Sequence, residues 1–199
     1  MAKSIYIIAE NVNVSSILSA DSISSARLKA LWGLGLQFFN FIPYIGQIIA
    51  IVGFVLYSMA IYSVSKAAAS KSLFKNYITA VISGFLGVFL FVLAIRLLGS
   101  SEHVGVGASM IAVLLLGGII ALIVAIYGYK IHAELAGLSG SSLFLWSFWI
   151  FVVSVPLYFV FGIFVEFAEI ITSLASAVSI IVLVPLFVAW WRFGKVEKR

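Results

Sequence analysis

The sequence contains no cysteine, only two histidines and only seven carboxylate side chains in 199 residues. Without cysteine, the chain forms no disulfide and offers no thiolate as a nucleophile or metal ligand. The histidines, His103 and His132, fall on opposite sides of the predicted bundle described below, so they do not assemble a zinc site. No nucleotide-binding or hydrolase motif is present. We therefore expect no enzyme, no cofactor and no metal site.

Charged residues are also scarce, at 10% of the chain, whereas soluble domains carry about 25%. Hydrophobic residues make up 64% of the chain, and the mean hydropathy is +1.23. A soluble fold of this size cannot bury so much apolar surface, so the composition predicts a protein that lies in the lipid bilayer. The net charge of +5 fits the basic cytoplasmic loops of membrane proteins, and no nucleic-acid partner is expected.

The apolar residues form six segments that polar or glycine- and proline-containing connections separate. The predicted spans cover residues 28–42, 47–64, 77–98, 108–129, 143–165 and 170–191. The first segment is shorter than the roughly 20 residues that cross a bilayer as a helix. Residues 1–26 are predicted to be a cytoplasmic or interfacial segment, and residues 193–199 a basic cytoplasmic tail. The predicted fold is an all-α polytopic membrane bundle of six transmembrane helices within residues 27–192.

The basic residues predict the orientation of this bundle. With six spans and both termini in the cytoplasm, eleven of the twelve basic residues lie on the inner side. Only Arg96 lies towards the outer side. Basic residues accumulate in cytoplasmic loops, and tryptophan prefers the level of the lipid headgroups. All five tryptophans lie at predicted inner ends of the spans, which favours the same orientation.

Three polar side chains within the apolar segments are candidates for an intramembrane or gating role: Arg96, Gln37 and Asn40. A charge inside a membrane is costly, but Arg96 lies near a span end, where a side chain that snorkels to the interface is the favoured interpretation. Gln37 and Asn40 either form hydrogen bonds across helices or line a small cavity. Small residues of the third and fourth spans are candidates for close helix packing, within the bundle or between two copies: Gly84, Gly87, Gly117, Ala121 and Ala125.

Residues 28–88 carry a resemblance to a known family. A short apolar segment contains glycines at Leu31-Trp32-Gly33-Leu34-Gly35 and is followed by the break Ile42-Pro43-Tyr44-Ile45-Gly46. A long apolar helix then ends at Ser65-Lys66, and Ser72-Leu73-Phe74-Lys75-Asn76 leads into the third span. In these features the chain resembles the prokaryotic, largely archaeal family called domain of unknown function 996. The resemblance implies a polytopic protein of a prokaryotic cytoplasmic membrane, and it transfers no catalytic or binding residue.

Three functions are compatible with these residues. The favoured hypothesis is a non-enzymatic accessory or scaffold subunit of a larger membrane assembly, because the chain is small and has little buried charge. The alternative is a transporter or channel for a small solute or an ion, which predicts a polar cavity around Gln37, Asn40 or Arg96. A lipid-binding or lipid-modifying protein that uses the inner aromatic and basic rim is the third. The expected partners are the lipid bilayer and membrane protein subunits, and a homo-oligomer stays open.

Overall fold

The computed structural model describes residues 22–42, 44–99, 106–164, 181 and 183–194. Six helices account for nearly all of these residues and no strand occurs among them, which confirms the all-helical prediction. Helix α1 covers residues 22–37 and continues into a single 3-10 turn, Phe38–Phe41. The other helices are α2 (Ile45–Ala67), α3 (Lys71–Gly99), α4 (Val106–Ser139), α5 (Leu143–Phe164) and α6 (Leu183–Arg192).

Within the described ranges, three helices are long and apolar enough to cross a membrane. The stretches that qualify are Ile45–Ala67, Lys71–Leu93 and Ile111–Ser139. A helix satisfies its backbone hydrogen bonds internally, and long apolar helices of this kind are therefore compatible with an integral membrane protein. The described apolar parts of α5 and α6 are shorter, Leu143–Ser154 and Leu183–Arg192. Residues 1–21, residues 100–105 of the predicted turn at 99–107 and most of the predicted sixth span lie outside the described residues.

Two connections are shorter than the sequence predicts. The predicted connection at residues 65–76 is reduced to a turn, because α2 continues to Ala67 and α3 begins at Lys71. The predicted loop at 130–142 is mostly helical, since α4 continues to Ser139. Alanine and lysine are good helix formers, so polar residues here mark the end of the apolar stretch and not the end of the helix. With 34 residues, α4 is about 50 Å long and exceeds a hydrocarbon core of about 30 Å.

The turn after α2 has the hydrogen bonds of a Schellman motif. The Ser70 amide donates to the Ser65 carbonyl over 2.9 Å, and the Ala69 amide donates to the Lys66 carbonyl over 3.2 Å. This geometry needs a left-handed residue after the helix, and Ala69 takes that place with a φ of 53°. Glycine usually fills this position, because a Cβ disfavours the left-handed region. Ala69 therefore holds a strained backbone conformation in the turn that ends α2.

The chain divides into two compact units. The first combines Met1–Lys71 with His132–Arg199, and the second is Ser72–Ile131. The second unit is a helical hairpin made of α3 and most of α4, and we call it the α3–α4 hairpin. The first unit contains the large side chains that are almost fully buried in α1, α2, α5 and the end of α6, among them Leu34, Ile61, Phe144, Trp190 and Phe193.

Candidate functional site

Helices α1 and α2 touch through their backbones at a pair of glycines. A Cβ built on Gly33 would lie 2.7 Å from the Gly53 carbonyl oxygen and 2.7 Å from the Tyr57 amide nitrogen. A Cβ on Gly53 would lie 2.6 Å from the Gly33 carbonyl oxygen. No Cβ fits at such distances, so both positions require glycine for this close approach. The sequence analysis missed the pair, because two isolated glycines far apart in the chain give no signal that they meet.

The structure places the three polar candidates in two different regions. Gln37 ends α1, and its Cγ lies 3.4 Å from the position of a Cβ on Gly53, so the side chain packs beside the glycine pair. Asn40 follows in the turn Phe38–Phe41. Arg96 belongs to the α3–α4 hairpin, where it lies in the last turn of α3 with an exposed side chain. Gln37 therefore lies where α1 and α2 pack closely.

An aromatic cluster lies where α2, α5 and α6 meet. The Trp190 ring meets Phe144 edge-on at 5.5 Å between centroids and Tyr57 edge-on at 6.0 Å, and Phe193 lies 5.1 Å away. Edge-to-face contacts at these distances stabilise aromatic pairs beyond the burial of their area. Trp190 is fully buried, and its indole nitrogen has no hydrogen-bond partner among the described residues. Trp190 is therefore a core residue and not the interfacial tryptophan that was predicted.

Phe193, the first residue of the predicted C-terminal tail, packs in the aromatic cluster. Its side chain is almost fully buried, and its ring meets Phe144 edge-on at 6.2 Å between centroids. The Phe193 amide donates to the Trp190 carbonyl over 3.1 Å, which continues the turn after α6. The other four tryptophans are exposed within the chain: Trp32, Trp146, Trp149 and Trp191.

Serine hydroxyls tie the turn after α2 to the last turns of α4. The Ser65 hydroxyl, which is buried, donates to the Ser70 carbonyl. The Ser70 hydroxyl in turn donates to the Glu134 carboxylate. A hydrogen bond to a charged acceptor is stronger than one between neutral groups. This chain of contacts fixes the Schellman turn on α4, and the sequence analysis did not identify it because Ser70 and Glu134 are 64 residues apart.

The candidate packing residues of the α3–α4 hairpin have different surroundings. A Cβ on Gly87 would lie 3.3 Å from Ile120 Cγ2, so Gly87 packs within the hairpin. Around Gly84 and Gly117, in contrast, nothing in the described part of the chain lies within 4 Å of an added Cβ. Ala121 is exposed and Ala125 is half-buried. Packing within the chain is therefore seen at Gly87, while Gly84, Gly117 and Ala121 present small residues on open faces.

A cleft of about 630 Å³ opens at the surface of the first unit. Its walls are formed by α1 and by the end of α6, and they combine hydroxyl groups, a guanidinium group, aliphatic side chains and an indole ring. The lining residues are Ser24, Ser25, Arg27, Leu28, Leu31 and Trp191. Neither Gln37 nor Arg96 is among the described lining residues. No part of the sequence analysis identified the cleft, although it placed both of its helices at the inner rim.

Within the described ranges, no group of three or more histidine, cysteine or acidic side chains comes close enough to hold a metal ion. Comparison of the chain with protein families, curated proteins and solved structures gives no match in any of the three. The resemblance to domain of unknown function 996 therefore stays a prediction.

Proposed function

We propose that this chain is a non-enzymatic accessory or scaffold subunit of a larger membrane assembly, and that the α3–α4 hairpin is the part that holds its partners. The observation that carries the proposal is how little these helices bury. In the apolar 18-residue stretch within Lys71–Leu93, only 6% is buried within the chain. The corresponding stretch within Ile111–Ser139 is also only 6% buried. In α2, the stretch Ile45–Ala67 buries 28%. The hairpin therefore offers most of its surface to other molecules.

Apolar exposure alone is also satisfied by lipid, because acyl chains are as apolar as leucine. The open glycines favour a protein partner. Gly117 and Ala121 lie four residues apart on one face of α4, which is the spacing at which small residues let two helix backbones approach closely. A helix that faces lipid gains nothing from small residues at this spacing. A neighbouring helix packs against them through van der Waals contacts and Cα–H···O contacts.

The proposal includes a topology. Six spans, with the first one short, leave both termini in the cytoplasm of a prokaryotic cell and the α3–α4 connection outside. Single cysteines test this arrangement directly, because the natural chain has none. An impermeant thiol reagent should label Tyr44→Cys and His103→Cys from the outside and Ser139→Cys from the cytoplasm. Labelling of Tyr44→Cys from the cytoplasm would contradict a first segment that crosses the membrane.

Co-purification from native membranes tests the functional proposal. The full chain should be isolated in mild detergent with its partner subunits bound, and Gly117→Leu should release them. Gly118→Leu is a matched control, since Gly118 is equally open but lies outside the stripe formed by Gly117, Ala121 and Ala125. Nothing in the described part of the chain lies within 4 Å of a Cβ added at either position, and we expect both variants to keep the stability of the natural protein.

The outcomes separate the hypotheses. Release of a different membrane protein by Gly117→Leu alone supports the accessory role. A natural chain that leaves native membranes as a single monomeric species would contradict it. A homo-oligomer that transports an ion or solute after reconstitution into vesicles would favour the transporter instead.

A further inference from the structure

The cleft of the first unit has a polar end and an apolar end along α1. Four of the lining residues belong to successive turns of α1: Ser24, Arg27, Leu28 and Leu31. Three of them, Ser24, Leu28 and Leu31, share one face of the helix because they are four and three residues apart. Seven residues of helix extend about 10 Å, so the hydroxyl groups at residues 24 and 25 lie about that far from Leu31 along the axis. The lining thus changes from polar to aliphatic in one direction, as the surface of a single lipid molecule does.

The described lining of the cleft carries a positive charge. Arg27 is the one charged side chain among the described lining residues. In the described part of the chain the one carboxylate is Glu134, which accepts a hydrogen bond from Ser70 and is not part of the lining. A guanidinium group binds phosphate with two parallel hydrogen bonds, which a lysine ammonium does not reproduce. Lys29 and Arg192 follow closely in sequence and add to the positive potential without lining the cleft.

The side chains at the rim of the cleft are of types that favour a membrane environment. Trp191 is 66% exposed and Leu28 is 57% exposed. In water these side chains would be an unfavourable surface, whereas an indole ring prefers the headgroup level of a bilayer and a leucine prefers the acyl region. Basic pockets between membrane helices on the cytoplasmic side are typical sites for anionic lipid headgroups. The predicted inner orientation places α1 and the end of α6 on that side.

We propose that this cleft binds the headgroup of an anionic phospholipid. The Arg27 guanidinium holds the phosphate, and the Ser25 hydroxyl donates to a headgroup oxygen. Leu28 and Leu31 contact the glycerol backbone and the first methylene groups, and the Trp191 indole covers the headgroup from α6. A free phosphate ion would use the polar end alone, whereas the aliphatic end fits an amphiphile. This site does not rest on the accessory role of the α3–α4 hairpin, whose residues are not in the cleft.

Native mass spectrometry of the full chain, released from detergent in the presence of defined lipids, tests the proposal. The probes are phosphatidylglycerol, phosphatidylcholine and inorganic phosphate. We expect one phosphatidylglycerol to remain bound in preference to phosphatidylcholine. Arg27→Gln should weaken phosphatidylglycerol binding by about tenfold or more, the effect of losing charged hydrogen bonds. Lys29→Gln removes the same charge two residues away and should change binding by less than about twofold.

Two further variants keep the test independent of folding. Arg27→Lys retains the charge and loses the bidentate geometry, so we expect it to bind with an affinity between those of the natural chain and Arg27→Gln. Leu28→Gln alters an exposed aliphatic side chain, and it should weaken binding of phosphatidylglycerol without changing the response to phosphate. The elution volume and unfolding midpoint of each variant should match the natural chain.

Three results would overturn the proposal. Equal losses in Arg27→Gln and Lys29→Gln would mean diffuse attraction to surface charge. Equal binding of phosphatidylcholine and phosphatidylglycerol would exclude recognition of the anionic headgroup. Displacement of the lipid by inorganic phosphate at the same concentration would assign the cleft to a soluble anion. The variant Gly117→Leu, which tests the accessory role, should leave lipid binding unchanged, so the two proposals can fail separately.

Discussion

Replacement of Gly33 by alanine tests the contact between α1 and α2. The new Cβ would lie 2.7 Å from the Gly53 oxygen and 2.7 Å from the Tyr57 nitrogen. Both are backbone atoms, so neither can turn away as the end of a side chain does. Ordinary van der Waals contact begins at 3.4 Å, and the helices must therefore separate by about 0.7 Å. A gap of that size weakens every contact along the crossing.

The expected cost follows from two opposing terms. Overpacking of this kind costs about 1–3 kcal/mol, and alanine contributes about 1 kcal/mol over glycine through its helix propensity. We expect Gly33→Ala to lower the free energy of unfolding by up to about 2 kcal/mol. Gly35→Ala is the matched control, because nothing lies within 4 Å of its Cβ. It keeps only the propensity gain and should raise stability by about 0.5–1 kcal/mol.

Reversible unfolding by SDS in mixed micelles, followed by tryptophan fluorescence, measures both variants. A difference of about 2 kcal/mol corresponds to roughly thirtyfold in the unfolding equilibrium. The double variant with Gly53→Ala should cost less than the sum of the single variants, because either Cβ alone already separates the helices. If Gly33→Ala were as stable as Gly35→Ala, the backbone contact between α1 and α2 would be refuted.

Three other predictions use the same unfolding measurement. Ala69→Gly should stabilise the chain by about 1 kcal/mol, because glycine relieves the strain of a left-handed alanine. Ala68→Gly is the control and should destabilise the chain by about 0.5–1 kcal/mol, since Ala68 has a helical conformation. Equal effects of the two substitutions would contradict the Schellman turn. Trp190→Ala should cost about 3–5 kcal/mol, because it removes a large buried side chain. Trp190→Phe should change stability far less, since the indole N–H has no hydrogen-bond partner among the described residues. A large loss of stability in Trp190→Phe would indicate such a partner. Ser70→Ala should cost about 1–2 kcal/mol, because it removes the hydrogen bond to the Glu134 carboxylate. Glu134→Gln keeps an acceptor oxygen and should cost less than Glu134→Ala. The opposite order would exclude the hydrogen bond between Ser70 and Glu134.

Composition and hydropathy are sufficient to predict an all-helical, membrane-compatible fold. Long apolar stretches have few alternatives in lipid, because every backbone polar group must be satisfied within the segment. The positions of α2, α3, α4 and α5 follow from this constraint. The ends of the helices do not, because lysine and alanine extend α2 and α4 beyond the apolar residues. The lengths of connections therefore cannot be derived from the boundaries of hydrophobicity.

The candidate sites depend on pairings that a single sequence does not encode. Gly33 and Gly35 are equivalent in the sequence, yet only Gly33 meets another backbone. Trp190 and Trp191 are neighbours at one predicted membrane interface, but Trp190 is buried against Phe144 while Trp191 lines a cleft. The preference of tryptophan for interfaces is an average, and it is overridden where two aromatic partners are available. Only the tertiary arrangement distinguishes such neighbours.

The glycine contact between α1 and α2 has a consequence for biosynthesis. The apolar part of α1 is too short to partition into a bilayer by itself, and it carries Gln37 near its end. Docking on α2 through Gly33 and Gly53 provides the close packing that drives helix association in lipid. With the six-span topology proposed above, entry of α1 into the membrane during translation would be a property of the two-helix unit, completed after α2 has left the ribosome. The hydropathy summed over α1 alone would then underestimate the tendency of this helix to enter the membrane.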